Sequence, residues 1–176
     1  MKELKWLDQY SGESVEELIA LEGKYRIDSL VLAFEQALDQ KEARAGANQI
    51  TAEERVIQAI EALEREVNNG GYSQFFLNSS REYAPIIVEA LTRISCPKTA
   101  EITRRAIAAL GISGSFTEAA IAEVMEAESS EREEKLEQCD NEYFQSGESI
   151  ETGLFQFIKT NRDKINLGIS RSKPDR

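Results

Sequence analysis

An apolar stripe that stops at a fixed point is the feature that most restricts this chain. Val56, Ile60, Leu63 and Val67 recur at three- and four-residue spacing, which is one face of a helix. Directly behind them come Asn68, Asn69, Gly70 and Gly71, residue types that reach left-handed backbone geometry at least cost. Tyr72, Phe75 and Phe76 then place three aromatic rings within one short stretch. The block predicts a helix that ends at the glycines and a short second helix, with Tyr72 and Phe76 on one face. The same Asn-Gly run also suits a type I′ hairpin turn, a reading that the preceding helical stripe disfavours.

Helical signals lie on both sides of this block. Ser14 with Glu17, and Thr51 with Glu54, have the spacing of capping boxes. Leu30, Val31, Phe34 and Leu38 predict a helix over about 25–41, followed by a connection through Gly46 and Asn48 to Ile50. Pro85 suits the first turn of a helix carrying Ile87, Val88, Leu91 and Ile94. Cys96-Pro97 marks a break before a helix over 98–110 with Arg104 and Arg105 outward, and Gly111 ends it. Thr117 is placed to cap a helix carrying Ala120, Ile121, Val124 and Met125. The charged stretch from Glu126 to Asp140 has Ala127, Leu136 and Cys139 as apolar anchors. After Ser146-Gly147 a last helix carries Ile150, Leu154, Phe157 and Ile158. Near the start, Trp6 and Tyr10 are expected to tuck against the body.

No alternating strand pattern, internal repeat or interdomain linker is evident. The expectation is an all-α fold, one compact multi-helix domain of about seven or eight helices over 1–167, with a loose tail over 168–176.

Chemistry is constrained by what is missing. The chain has no histidine, the commonest near-neutral proton shuttle and zinc ligand. Cys96 and Cys139 lie far apart and read as buried hydrophobes, not a disulfide framework. Ser79 and Ser80 have no histidine partner, and neither cysteine has an evident activating base, so no catalytic residue is assigned. Glu133, Glu134 and Glu137 lack the ordered spacing of a metal loop, and no metal or cofactor is expected. With no apolar run of membrane length, the expected setting is the cytoplasm. Tyr72, Gln74, Asn78 and Tyr83 are the one polar-aromatic set able to line a groove, against the plainer reading that the rings fill the core.

The net charge is −11, which argues against direct nucleic-acid binding and for a basic protein surface as partner. The charge is segregated. Residues 118–151 hold twelve acidic residues, among them Glu123, Glu126, Glu128, Glu131, Glu133, Glu134, Glu137, Asp140 and Glu142, against only Arg132 and Lys135. On a helix, carboxylates three or four apart repeat every ~5–6 Å along one face, a scale able to imitate part of a nucleic-acid backbone. A merely solubilising face is the plainer reading of the same residues.

Three stretches carry a family resemblance: Leu63 to Ser79, with Asn68, Asn69, Gly70, Gly71, Tyr72, Gln74, Phe75, Phe76 and Asn78 at its heart; Leu136 to Phe144; and Leu154 to Ile158. Over about 50–165 the chain resembles the DUF4375 family, which contains the C-terminal domain of the bacterial DNA-mimic protein DMP19. The resemblance implies a helical, acidic dimer whose surface is similar to double-stranded DNA. It implies an inhibitor that occupies the DNA-binding face of a transcriptional regulator, with a nucleoid-associated protein as a further partner. It carries over no catalytic residues, and it leaves an adaptor or immunity-like protein, or a small enzyme with a pocket near the Asn-Gly-Gly-Tyr turn, as alternatives.

Overall fold

Both capping boxes form as their spacing requires. The Ser14 hydroxyl accepts from the Glu17 amide at 3.1 Å, and the Glu17 carboxylate accepts from the Ser14 amide at 2.8 Å. Thr51 and Glu54 make the same reciprocal pair at 3.1 and 3.0 Å. Each pair satisfies amide groups that a helix start leaves without partners. In the computed structural model, which describes residues 3–168, eight α-helices follow one another. They are α1 (Val15–Ile19), α2 (Ile27–Ala45), α3 (Ala52–Leu77), α4 (Ala84–Arg93), α5 (Pro97–Ala109), α6 (Glu118–Glu126), α7 (Ser130–Gln145) and α8 (Ile150–Thr160). Single 3-10 turns occupy Ala47–Gln49, Ser79–Tyr83 and Arg162–Lys164. Among the described residues there are isolated backbone bridges, Lys5 to Tyr25 and Glu22 to Tyr25, but no strand. The fold is therefore all-α. The tail expected over 168–176 lies, from residue 169 on, outside the described residues.

The chain divides into two compact units. The first comprises residues up to Gln58 and those from Glu151 onward. Its core includes Leu18, Leu30, Phe34, Leu38, Leu154, Phe155 and Ile158, all buried. A polar clasp sits at the start of α3. Glu54 is fully buried and receives the Lys41 ammonium at 2.7 Å and the Asn166 amide at 2.7 Å. A buried carboxylate is tolerated only when it is paired in this way. Beside it, Gln58 donates to Asp39 at 3.1 Å and to Glu42 at 2.7 Å.

The second unit comprises Ala59–Ile150. Here α5 packs on α4 and α7, while α6 meets the turn at Ser79–Tyr83. Its core includes Ile60, Leu63, Tyr72, Phe75, Phe76, Ile87, Leu91, Ile121 and Leu136. Cys96 and Cys139 are buried and form no disulfide, and burial pushes the Cys139 thiol above its ordinary range despite the nearby Arg105.

Three local expectations need correction. Helix α2 continues to Ala45 instead of ending near Lys41. Lys41-Glu42-Ala43-Arg44-Ala45 is a run of good helix formers, and only Gly46, with φ of 91°, stops it. Helix α6 stops at Glu126, where Ala127 turns extended, and Ser129 caps α7 by accepting from the Arg132 amide at 3.3 Å. Ala127 is exposed and anchors nothing. Trp6 is also exposed, and the Arg26 guanidinium lies 5.3 Å from its ring centroid, so a cation covers a face that was expected to meet the core.

Candidate functional site

The asparagine-glycine block does break the helix, within a single continuous element. Helical geometry fails at Gly70 (φ −161°, ψ 24°) and Gly71 (φ 74°, ψ −173°), and helix resumes at once toward Leu77. The Gly71 conformation belongs to a region open essentially to glycine alone. Space leads to the same conclusion: a Cβ on Gly71 would run into the Asp140 carboxylate. That carboxylate accepts the Tyr72 amide at 2.7 Å, so Asp140 of α7 caps the helix that restarts after the kink. On the other side, Glu66 accepts from Gln74 and from Asn78, each at 2.8 Å. The two halves of α3 are thus held across the break by side chains from both.

Tyr72 is fully buried. Its ring stacks with Phe76 at 6.3 Å and meets Tyr143 edge-on at 5.9 Å. Its hydroxyl bonds Thr103 at 2.6 Å, and Thr103 donates onward to the Thr99 carbonyl at 2.8 Å. Burial raises the Tyr72 phenol well above its ordinary range, so it stays neutral. Tyr143 donates to Glu64. The plainer of the two readings therefore holds and the groove alternative does not: Tyr72 and Tyr83 are core, and Gln74 and Asn78 are bound to Glu66.

Two further side chains set the neighbouring helices, and the sequence reading singled out neither. Glu148 accepts from the Lys98 and Thr99 amides at 3.0 and 2.8 Å and from the Thr99 hydroxyl at 2.8 Å. It caps α5 from a distant loop. Burial raises the Glu148 carboxyl, yet the Thr99 and Lys98 donors outweigh it and hold the group below its ordinary value. Arg132, 8% exposed, donates to the Val124 carbonyl at 2.9 Å and the Ala127 carbonyl at 2.5 Å. It closes the C-terminal end of α6 from the first turn of α7. The only sign in the sequence was one arginine among glutamates, in register with Leu136, Cys139 and Tyr143 on the buried face of α7.

The acidic residues divide by environment. Glu123, Glu126, Glu128, Glu131, Glu133, Glu134 and Glu137 are exposed. Glu131 pairs with Lys135 at 2.7 Å, which lowers its carboxyl from the ordinary value. Asp140 and Glu142 are partly covered. Burial raises the Asp140 carboxyl, with the Tyr72 amide opposing the rise and Glu137 adding to it. Glu142 is lowered by its bond from Arg105 and lies at a shallow cleft of about 600 Å³ lined by Pro97, Lys98, Ile102, Arg105 and Ser146. Among the described residues no three His, Cys, Asp or Glu side chains converge as a metal site. No described helix is long and apolar enough to cross a membrane.

With this geometry in view, comparison with known families is decisive for kinship. Residues 48–161, more than half of the chain, match the family described as DMP19-like protein. The chain belongs to the DMP19-like family. No curated protein and no solved structure matches it. The DMP19-like region begins before the Thr51–Glu54 cap and takes in the glycine kink, Tyr72, Arg132 and the whole of α7.

Proposed function

We propose that this DMP19-like domain is a cytoplasmic acidic interaction module that occupies the basic surface of a DNA-binding protein. The partner's lysines and arginines meet carboxylates where they would otherwise meet phosphates. One observation carries the reading: Glu123, Glu126, Glu128, Glu133, Glu134 and Glu137 are exposed and form no ion pair with another described residue, so their charge is free for a partner. Their concentration on two consecutive helices and the connection between them gives a local field that steers a basic protein and sets its register. Kinship with DMP19-like proteins supports the same reading.

The test is capture of a DNA-binding partner from the source cell, followed by competition with duplex DNA. DNA and this domain are expected to exclude each other from the partner. Affinity should fall steadily as salt rises. Replacing Glu131, Glu133, Glu134 and Glu137 together by Gln should weaken the complex at least about tenfold, if each contact contributes a few tenths of a kcal/mol or more. A complex indifferent to both DNA and these substitutions overturns the proposal.

A further inference from the structure

The outward face of α7 carries more than charge. Successive helix residues turn by about 100°, so Glu133, Glu137 and Phe144 lie within about 40° of one another, along about 16 Å of helix. All three are exposed, as is Asn141 between them. Phe144 is 59% exposed, more than Leu4, Trp6 or Leu77, the other large apolar side chains left in solvent among the described residues. Its ring is not loose: it meets the Tyr143 ring edge-on at 5.5 Å, and Tyr143 is itself buried and bonded to Glu64. A seated aromatic ring therefore ends a row of unpaired carboxylates.

We propose that this face is a docking surface for an arginine-rich segment of a basic partner protein, with Phe144 selecting arginine over lysine. The inference rests on the acidic-interaction reading above and names the chemistry that the surface prefers. A glutamate row alone attracts lysine and arginine by the same Coulombic force. A phenylalanine in line with that row separates them. Guanidinium is planar and weakly hydrated, pairs with a carboxylate through two parallel N–H donors, and lies flat on an aromatic face. Ammonium is compact and strongly hydrated, and gives up more water to make the same approach. One arginine of the partner forks onto Glu133 or Glu137, and another, about 10 Å further along, covers the Phe144 ring.

Fluorescence anisotropy with labelled deca-arginine and deca-lysine peptides tests this on the intact chain. Phe144→Ala loses the edge-on contact with Tyr143 and little else, and is expected to unfold within a few degrees of wild type. It should weaken deca-arginine binding about two- to fivefold and deca-lysine binding clearly less. Phe144→Tyr, which keeps the ring, should retain the wild-type preference. Glu133→Gln with Glu137→Gln should weaken both peptides. If Phe144→Ala weakens both peptides equally or neither, the arginine selectivity is wrong while the acidic-interaction reading stands. If wild-type protein binds neither peptide at low salt, both proposals fall.

Discussion

At the scale of single residues, Gly71 is where the chain has least freedom. Its φ of 74° with ψ of −173° excludes side chains, and the space a Cβ would fill is already taken by the Asp140 carboxylate. Gly70, its neighbour, differs: its φ of −161° is extended backbone, and a Cβ there meets the Gln74 side chain, chiefly its amide end but also its Cβ at 3.2 Å. Gly71→Ala should therefore cost about 2–4 kcal/mol, combining backbone strain with displacement of the Asp140 cap. Gly70→Ala should cost less, about 1–2 kcal/mol, since no left-handed backbone is needed there and the loss is that of the Gln74 bond to Glu66 as the side chain is pushed aside. Midpoints of urea unfolding for the two variants check the contrast, and equal losses would contradict it. The residue types of the block announced a break in the helix. They did not announce which glycine was indispensable, because that depends on a carboxylate sixty-nine positions away.

At the scale of elements, helix ends in the second unit are closed by remote side chains. α5 begins at Pro97, and its first free amides are taken by Glu148; α6 ends on Arg132. The Glu148 carboxyl is held below its ordinary value, so its contribution to stability has a definite sign with pH. The contribution is complete above the ordinary glutamate range. It is lost as the pH falls through the depressed folded-state value, because a protonated carboxyl no longer accepts from two amides as an anion does. Glu148→Gln should lower stability by about 1 kcal/mol at pH 7 and by clearly less in acid. Thermal unfolding of wild type and variant at neutral and acid pH would show the two curves converging; a constant gap would refute this account. The local caps at Ser14, Thr51 and Thr117 were legible, since each lies within three residues of the amide it serves. Glu148 and Arg132 were not, because nothing in local spacing ties a loop glutamate to a helix some fifty residues earlier.

At the scale of the molecule, the net charge of −11 is concentrated in α6, α7 and their flanks. Glu133 and Glu137 stand one turn apart on α7, exposed and without an ion-pair partner among the described residues, an arrangement that costs an isolated helix a few tenths of a kcal/mol. Glu137→Gln, which leaves Glu133 in its favourable place in the first turn of α7 and relieves repulsion from both Glu133 and Asp140, should therefore raise the unfolding temperature slightly at low salt, and the gain should vanish at high salt as repulsion is screened. Differential scanning calorimetry at two ionic strengths measures it. A variant less stable than wild type at low salt would show that the Glu137 carboxylate is instead structural. The sequence by itself determined the helical class, most helix starts, the break at the glycines and the charge segregation. Each of these is written in local spacing or composition, where a few neighbouring residues contain the whole cause. Only the tertiary structure decided that Tyr72 is core instead of groove, that Asp140 is spent on the kink and Glu142 on Arg105, and that Phe144 ends the glutamate row in solvent. Those outcomes depend on which distant side chains arrive at the same place, and packing settles that only once the helices have come together.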